Sequence, residues 1–86
     1  MDINYHRSFQ RDFKKLTPKI KEKFYERQEV FMAENFNPVL NNHALKGAYK
    51  SCRSINITGD YRAIFTRRDN SYFFIRIGTH DELYGR

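Results

Sequence analysis

Two short turns in the second half of the chain constrain its fold more than any other feature. Cys52 to Ile57 alternates apolar Ile55 and Ile57 with Ser54 and Asn56, Thr58-Gly59-Asp60 reads as a turn, and Tyr61 to Arg67 returns. Asp69-Asn70-Ser71 supplies a second turn before Tyr72 to Gly78. Connections this short join antiparallel neighbours, so the pattern predicts a three-stranded meander.

The first half reads differently. Ile3 to Arg7 alternates weakly and is predicted as an opening strand. Ser8 then offers an N-cap, with Phe9, Phe13 and Leu16 following at helical spacing among charged residues. Thr17-Pro18 pairs a cap with a first-turn proline and starts a second helix to about Asn35, with Ile20, Phe24 and Phe31 along one stripe. Asn35 to Asn42, with Pro38, forms a connecting loop. The expected class is α+β: strand, two helices, three-stranded meander, with the helices on one face of a single sheet and the other face open. At 86 residues the chain is expected to form one domain, 1–86, with a lean core. Eight Phe and six Tyr make that core feasible.

Charge narrows the partners. Sixteen Lys and Arg against ten Asp and Glu give a net +6, which suits polyanions or an acidic protein. Residues 1–45 carry eight basic and six acidic side chains, residues 46–86 eight and four, so the excess lies in the second half. The single Cys52, read as a small strand residue, excludes an internal disulfide and a Cys-rich zinc site. No His-Glu-x-x-His or carboxylate cluster suggests a metal, and the scattered glycines form no phosphate-cradling loop, so no metal or cofactor is expected. With neither a signal-peptide pattern nor a membrane-length apolar run, the expected location is the cytoplasm.

The titratable and cationic residues of the second half are the candidates for chemistry. RNA cleavage without a metal needs a base for the 2′-hydroxyl, an acid for the leaving 5′-oxygen and cations for the phosphorane. His43 stands in a loop before Lys46 and Gly47, and His80 directly follows the last strand. Asp60 sits in the first turn, where it caps the backbone and is also placed to orient a base. Arg53 and Arg62 flank that hairpin as a potential phosphate fork, and Tyr61 and Tyr84 are placed to stack on bases, with core or rim packing the simpler account for either. His6, in the opening strand, reads as a surface residue.

The series His43-x-Leu-Lys-Gly, Arg53 through Asp60-Tyr-Arg-x-Ile-Phe, and Gly-Thr-His80-x-x-Leu-Tyr84 resembles the RelE/ParE toxin superfamily of bacterial toxin–antitoxin systems, and within it the YafQ-like branch. The resemblance spans nearly the whole chain. It implies a ribosome-dependent mRNA endonuclease acting in the ribosomal A site, silenced by an acidic antitoxin whose tail wraps the toxin, the complex binding operator DNA through the antitoxin. By position it makes His43 and His80 the catalytic histidines, Asp60 the active-site carboxylate and Arg62 the phosphate-binding strand arginine. Tyr61 takes the place of an aromatic that is commonly Trp, and Tyr84 that of a C-terminal aromatic. Asn56 departs from the pattern, standing where the branch has a further histidine, so a mechanism here has two histidines rather than three.

The sequence therefore leads to an mRNA interferase with His43, Asp60, His80 and Tyr84 as catalytic candidates. Lys46, Arg53, Asn56, Tyr61 and Arg62 are the candidates for binding substrate. Its rivals are a ParE-like toxin that inhibits DNA gyrase by binding alone, and a basic interaction domain without activity. The histidine pair beside Asp60 favours the enzyme, because a pure binder has no need of titratable groups gathered at one strand end.

Overall fold

The meander forms as the turns require. In the computed structural model, which describes residues 2–85, β3 (Arg53–Asn56), β4 (Tyr61–Arg68) and β5 (Ser71–Thr79) pair antiparallel in sequence order. The opening strand β1 (Asp2–Tyr5) lies parallel to β5, with Asp2 opposite Ser71 and Tyr5 opposite Phe74. A further strand, β2 (His43–Ala44), joins the opposite edge against Ser54 and Arg53. The sheet thus has five strands in the order β1-β5-β4-β3-β2, one more than the sequence pattern predicts. Two residues carry no periodicity, so β2 is visible only through its partner.

Helix α1 (Arg7–Lys14) begins one residue earlier than its expected cap. His6 caps it, with Nδ1 accepting from the backbone N–H of Ser8, and so β1 stops at Tyr5 rather than Arg7. The Ser8 hydroxyl is used elsewhere, donating to Ile75 O at 2.6 Å across the sheet edge. Helix α2 (Pro18–Ala33) starts as expected, with Thr17 accepting from the N–H of Ile20 and Pro18 in the first turn. Both helices bury aromatic stripes on one sheet face. Phe74 stands among Phe9, Phe24, Phe31 and Phe65 at centroid separations of 5.6–5.8 Å.

A bulge in β5 decides what points where. Ile64 pairs with Arg76 but Phe65 pairs with Phe74, leaving Ile75 as an extra residue. Uninterrupted alternation would put Tyr72, Phe74 and Arg76 on one face. The bulge keeps Tyr72 and Phe74 in the helix-side core and turns Arg76 to the other side, with Ile77 taking the inward place.

That other face is not open. Ser54 and Ile64, neighbours across β3 and β4, are both fully buried there. The segment between β2 and β3 crosses it: the Thr66 hydroxyl donates to Ser51 O at 3.2 Å, and Arg76 reaches Tyr49. A short helix, α3 (His80–Tyr84), covers its end. Helix α3 packs so closely that a Cβ on Gly78 would lie 2.9 Å from Glu82 Oε1 and 3.4 Å from Leu83 Cδ2. Among the described residues no helix is long and apolar enough to cross a membrane.

Candidate functional site

Strand alternation puts Asn56 and Arg62 on this second face, paired with each other, and His43 on the same face opposite Ser54. The chain then supplies the rest from its two covers. Lys46 precedes the 3-10 turn Gly47–Tyr49 between β2 and β3, a turn that Gly47 enters at φ +64°. Helix α3 carries His80 and Tyr84. Its start was legible: Thr79-His80-Asp81-Glu82 forms a capping box, with Thr79 accepting from the Glu82 N–H at 3.1 Å and Glu82 from the Thr79 N–H at 2.9 Å. His80 therefore opens a helix instead of merely trailing a strand.

These pieces enclose a cleft of about 480 Å³ lined by Asn41, His43, Leu45, Lys46, Arg62, His80 and Tyr84. Among the described residues its charged and titratable lining is two imidazoles, an ammonium, a guanidinium and a phenol, with no carboxylate. An anion entering it meets the Lys46 and Arg62 cations.

Several side chains are held in place. His43 Nδ1 lies 2.8 Å from Asn41 O, and a carbonyl oxygen only accepts, so Nδ1 carries the proton and Nε2 keeps its lone pair when the ring is neutral. Arg62 Nη1 donates to three carbonyls of its own turn, Thr58, Gly59 and Tyr61, at 3.1–3.2 Å. His80 packs against the Tyr84 ring with centroids 4.7 Å apart, and its backbone N–H donates to Asp60 O at 3.0 Å. Exposed and solvated, the His80 ring sits 3.9 Å from the Asp81 carboxylate. Beneath the cleft face, Ser54 Oγ and Asn56 Oδ1 are buried without hydrogen-bond partners.

Other expected site residues lie elsewhere. Arg53 shares strand parity with Ile55 and Ile57, so it faces the helix side rather than forming a fork with Arg62. There its Nε donates to Asn42 Oδ1 at 2.7 Å and its guanidinium stacks over Phe36 at 5.2 Å. Tyr61, on the parity of Ala63 and Phe65, packs against the core and lines a different hollow with Asp12, Lys15 and Glu82. Asp60 stays in its turn, and its backbone, not its carboxylate, is what seats α3. Cys52 stands partly buried just before β3, and burial raises its thiol pKa, which works against thiolate reactivity. Among the described residues no three His, Cys, Asp or Glu side chains gather into a ligand set for a metal ion.

Sequence reasoning missed Tyr49 and Arg76. Arg76 lies on the cleft side of the sheet, yet Asp12 of α1 holds it at 2.6 and 3.3 Å through Nε and Nη2. That carboxylate contact, with burial opposing it, keeps the guanidinium pKa above its ordinary value. The bulge at Ile75 is what sends Arg76 to the cleft side, and no pattern in the sequence announces it.

The fold recurs in known proteins. A model of the family described as the YafQ bacterial toxin of type II toxin–antitoxin systems matches residues 1–85. The chain belongs to the YafQ toxin family. Crystalline YafQ from E. coli strain BL21(DE3) superposes with a TM-score of 0.83 at 25% identity, over 98% of each chain. YafQ in the E. coli DinJ–YafQ toxin–antitoxin complex gives 0.80 at 26% identity, over 98% of this chain and 97% of that one. A YoeB/ParE toxin from Agrobacterium tumefaciens shares the fold, with a TM-score of 0.77 at 18% identity over 93% and 99% of the chains. No curated protein sequence matches this YafQ-family chain.

Proposed function

We propose that this YafQ-family toxin is a ribosome-dependent mRNA endonuclease that cleaves by metal-independent acid/base chemistry. The observation that carries the reading is the cleft itself, where two histidines, Lys46, Arg62 and Tyr84 converge without a carboxylate. In this scheme His43 Nε2, left unprotonated by the Nδ1 contact to Asn41, takes the proton of the 2′-hydroxyl. The 2′-oxygen attacks phosphorus, the bond to the 5′-oxygen breaks, and His80 protonates that leaving oxygen. Lys46 and the Nε–Nη2 edge of Arg62 hold the phosphorane charge, since Nη1 is engaged by the turn carbonyls. Tyr84 packs His80 and offers a face to a nucleotide base. Asn56 contributes polarity under Arg62 but no proton transfer. Arg53 and Tyr61 take no part in this scheme, and Asp60 enters it through its backbone.

The partner in this reading is an acidic antitoxin that covers the cationic cleft, and translating ribosomes locate the activity in the cytoplasm. Binding of operator DNA falls to the antitoxin. Support comes from the net +6 of the chain and from the relation to YafQ of the E. coli DinJ–YafQ complex. Capture by charge makes association fast and salt-sensitive. The decisive experiment maps transcript ends in a translating extract with the toxin added. Ribosome-dependent cuts in mRNA are expected; cuts that persist without ribosomes, or gyrase-linked DNA breaks with intact mRNA, overturn the reading.

A further inference from the structure

We infer that Tyr49 is a positioning residue for the cleft, joining the turn that carries Lys46 to the helix that carries His80 and Tyr84. It also anchors both to the Asp12–Arg76 ion pair. Its kinetic consequence rests on the nuclease reading above; its structural consequence does not.

Tyr49 ends the 3-10 turn, and its backbone N–H donates to Lys46 O at 3.3 Å. The ring meets Tyr84 edge to face, centroids 6.0 Å apart at 84°, and Tyr84 in turn packs on His80. At the other end, Arg76 Nη1 donates to the Tyr49 hydroxyl at 3.4 Å. Arg76 does not drift, because Asp12 binds its Nε and Nη2, and Asp12 is itself fixed by the N–H of Ile77 at 3.0 Å. The chain of contact thus runs from α1 past the edge of β5 to a single ring between two short covers. A bare filler of that face would need no hydroxyl, and phenylalanine would serve as well. Neither cover is long: α3 has five residues and the turn three. Isolated elements of that length do not hold a geometry by themselves, so their mutual placement depends on contacts such as this one.

The test compares Tyr49→Ala with Tyr49→Phe in the full-length chain. One arm follows the His80 ring protons by NMR in the free protein, with the remote His6 ring as control. Loss of Tyr49 is expected to release Tyr84 and move the His80 signals towards free-histidine positions in Tyr49→Ala, less so in Tyr49→Phe, with His6 unmoved. The second arm measures single-turnover cleavage at saturating ribosome. There Tyr49→Ala is expected to slow cleavage by about 10–100-fold and Tyr49→Phe by a few-fold, with ribosome affinity unchanged, as misplacement of a catalytic group does. A folded Tyr49→Ala protein with parent-like His80 signals overturns the inference, as does a loss confined to affinity. If Tyr49→Ala does not fold, Tyr49→Phe decides: parent-like His80 signals and rate together overturn the anchoring role. Should the parent chain fail to cut mRNA, the nuclease reading falls while the NMR arm still decides the role of Tyr49.

Discussion

The two faces of the sheet are built on opposite principles. The helix side is a continuous packing of aromatic rings, in which Phe24, Phe31 and Phe74 are fully buried. Among the described residues the cleft side is covered by a turn and a five-residue helix, and keeps two buried polar atoms, Ser54 Oγ and Asn56 Oδ1, without partners. One face carries the stability of a small fold, and the other tolerates polar cost beside the residues proposed to do the chemistry. Substitutions should therefore separate cleanly: those on the helix side act on folding, those on the cleft side on activity.

Phe74→Ala is the strongest attempt to break that division from the folding side. Loss of a ring packed against five others is expected to cost about 3–5 kcal/mol, enough to leave so small a fold largely unfolded, as a denaturant titration would register. His43→Ala and His80→Ala test the other side. Each is expected to lower the cleavage step by about 10²–10⁴-fold in single-turnover assays, while the denaturation midpoint stays close to that of the parent. A histidine variant that unfolds like Phe74→Ala would erase the contrast.

Gly78→Ala sits between the two. The new methyl meets Glu82 Oε1, a flexible tip, but one that closes the capping box on Thr79. Stability should fall by about 1 kcal/mol, the size of a lost cap, while activity falls further because α3 carries His80 and Tyr84. Thermal melting and cleavage rate on the same preparation give the comparison. Ser54→Ala is the smallest effect and has the opposite sign: removing a buried hydroxyl without a partner is expected to be neutral or to stabilise by up to about 1 kcal/mol, seen as an unchanged or raised denaturation midpoint.

Legibility in the sequence followed the same division. The helix-side core could be read from the Phe9, Phe24 and Phe31 spacing and from the meander turns, because burial of a face imposes a period. Of the nine candidate site residues, the structure brings five, His43, Lys46, Arg62, His80 and Tyr84, to one cleft. Arg53 and Tyr61 were misplaced because both ends of a hairpin look alike in sequence until register assigns parity. The bulge at Ile75 hid Arg76, since one extra residue inverts every later side chain. Helix α3 had a capping-box signal, but its five residues fall below the length at which periodicity speaks.

The parallel pairing of β1 with β5 has a consequence in time. Asp2 waits for Ser71, and the cleft waits for His80 and Tyr84, so the N-terminal strand has no sheet to join until the chain's last strand has been synthesised. Contacts this distant along the chain form slowly, after the local helices and the hairpin. A nascent chain therefore carries no finished cleft until its last strand and α3 have left the ribosome and joined the sheet.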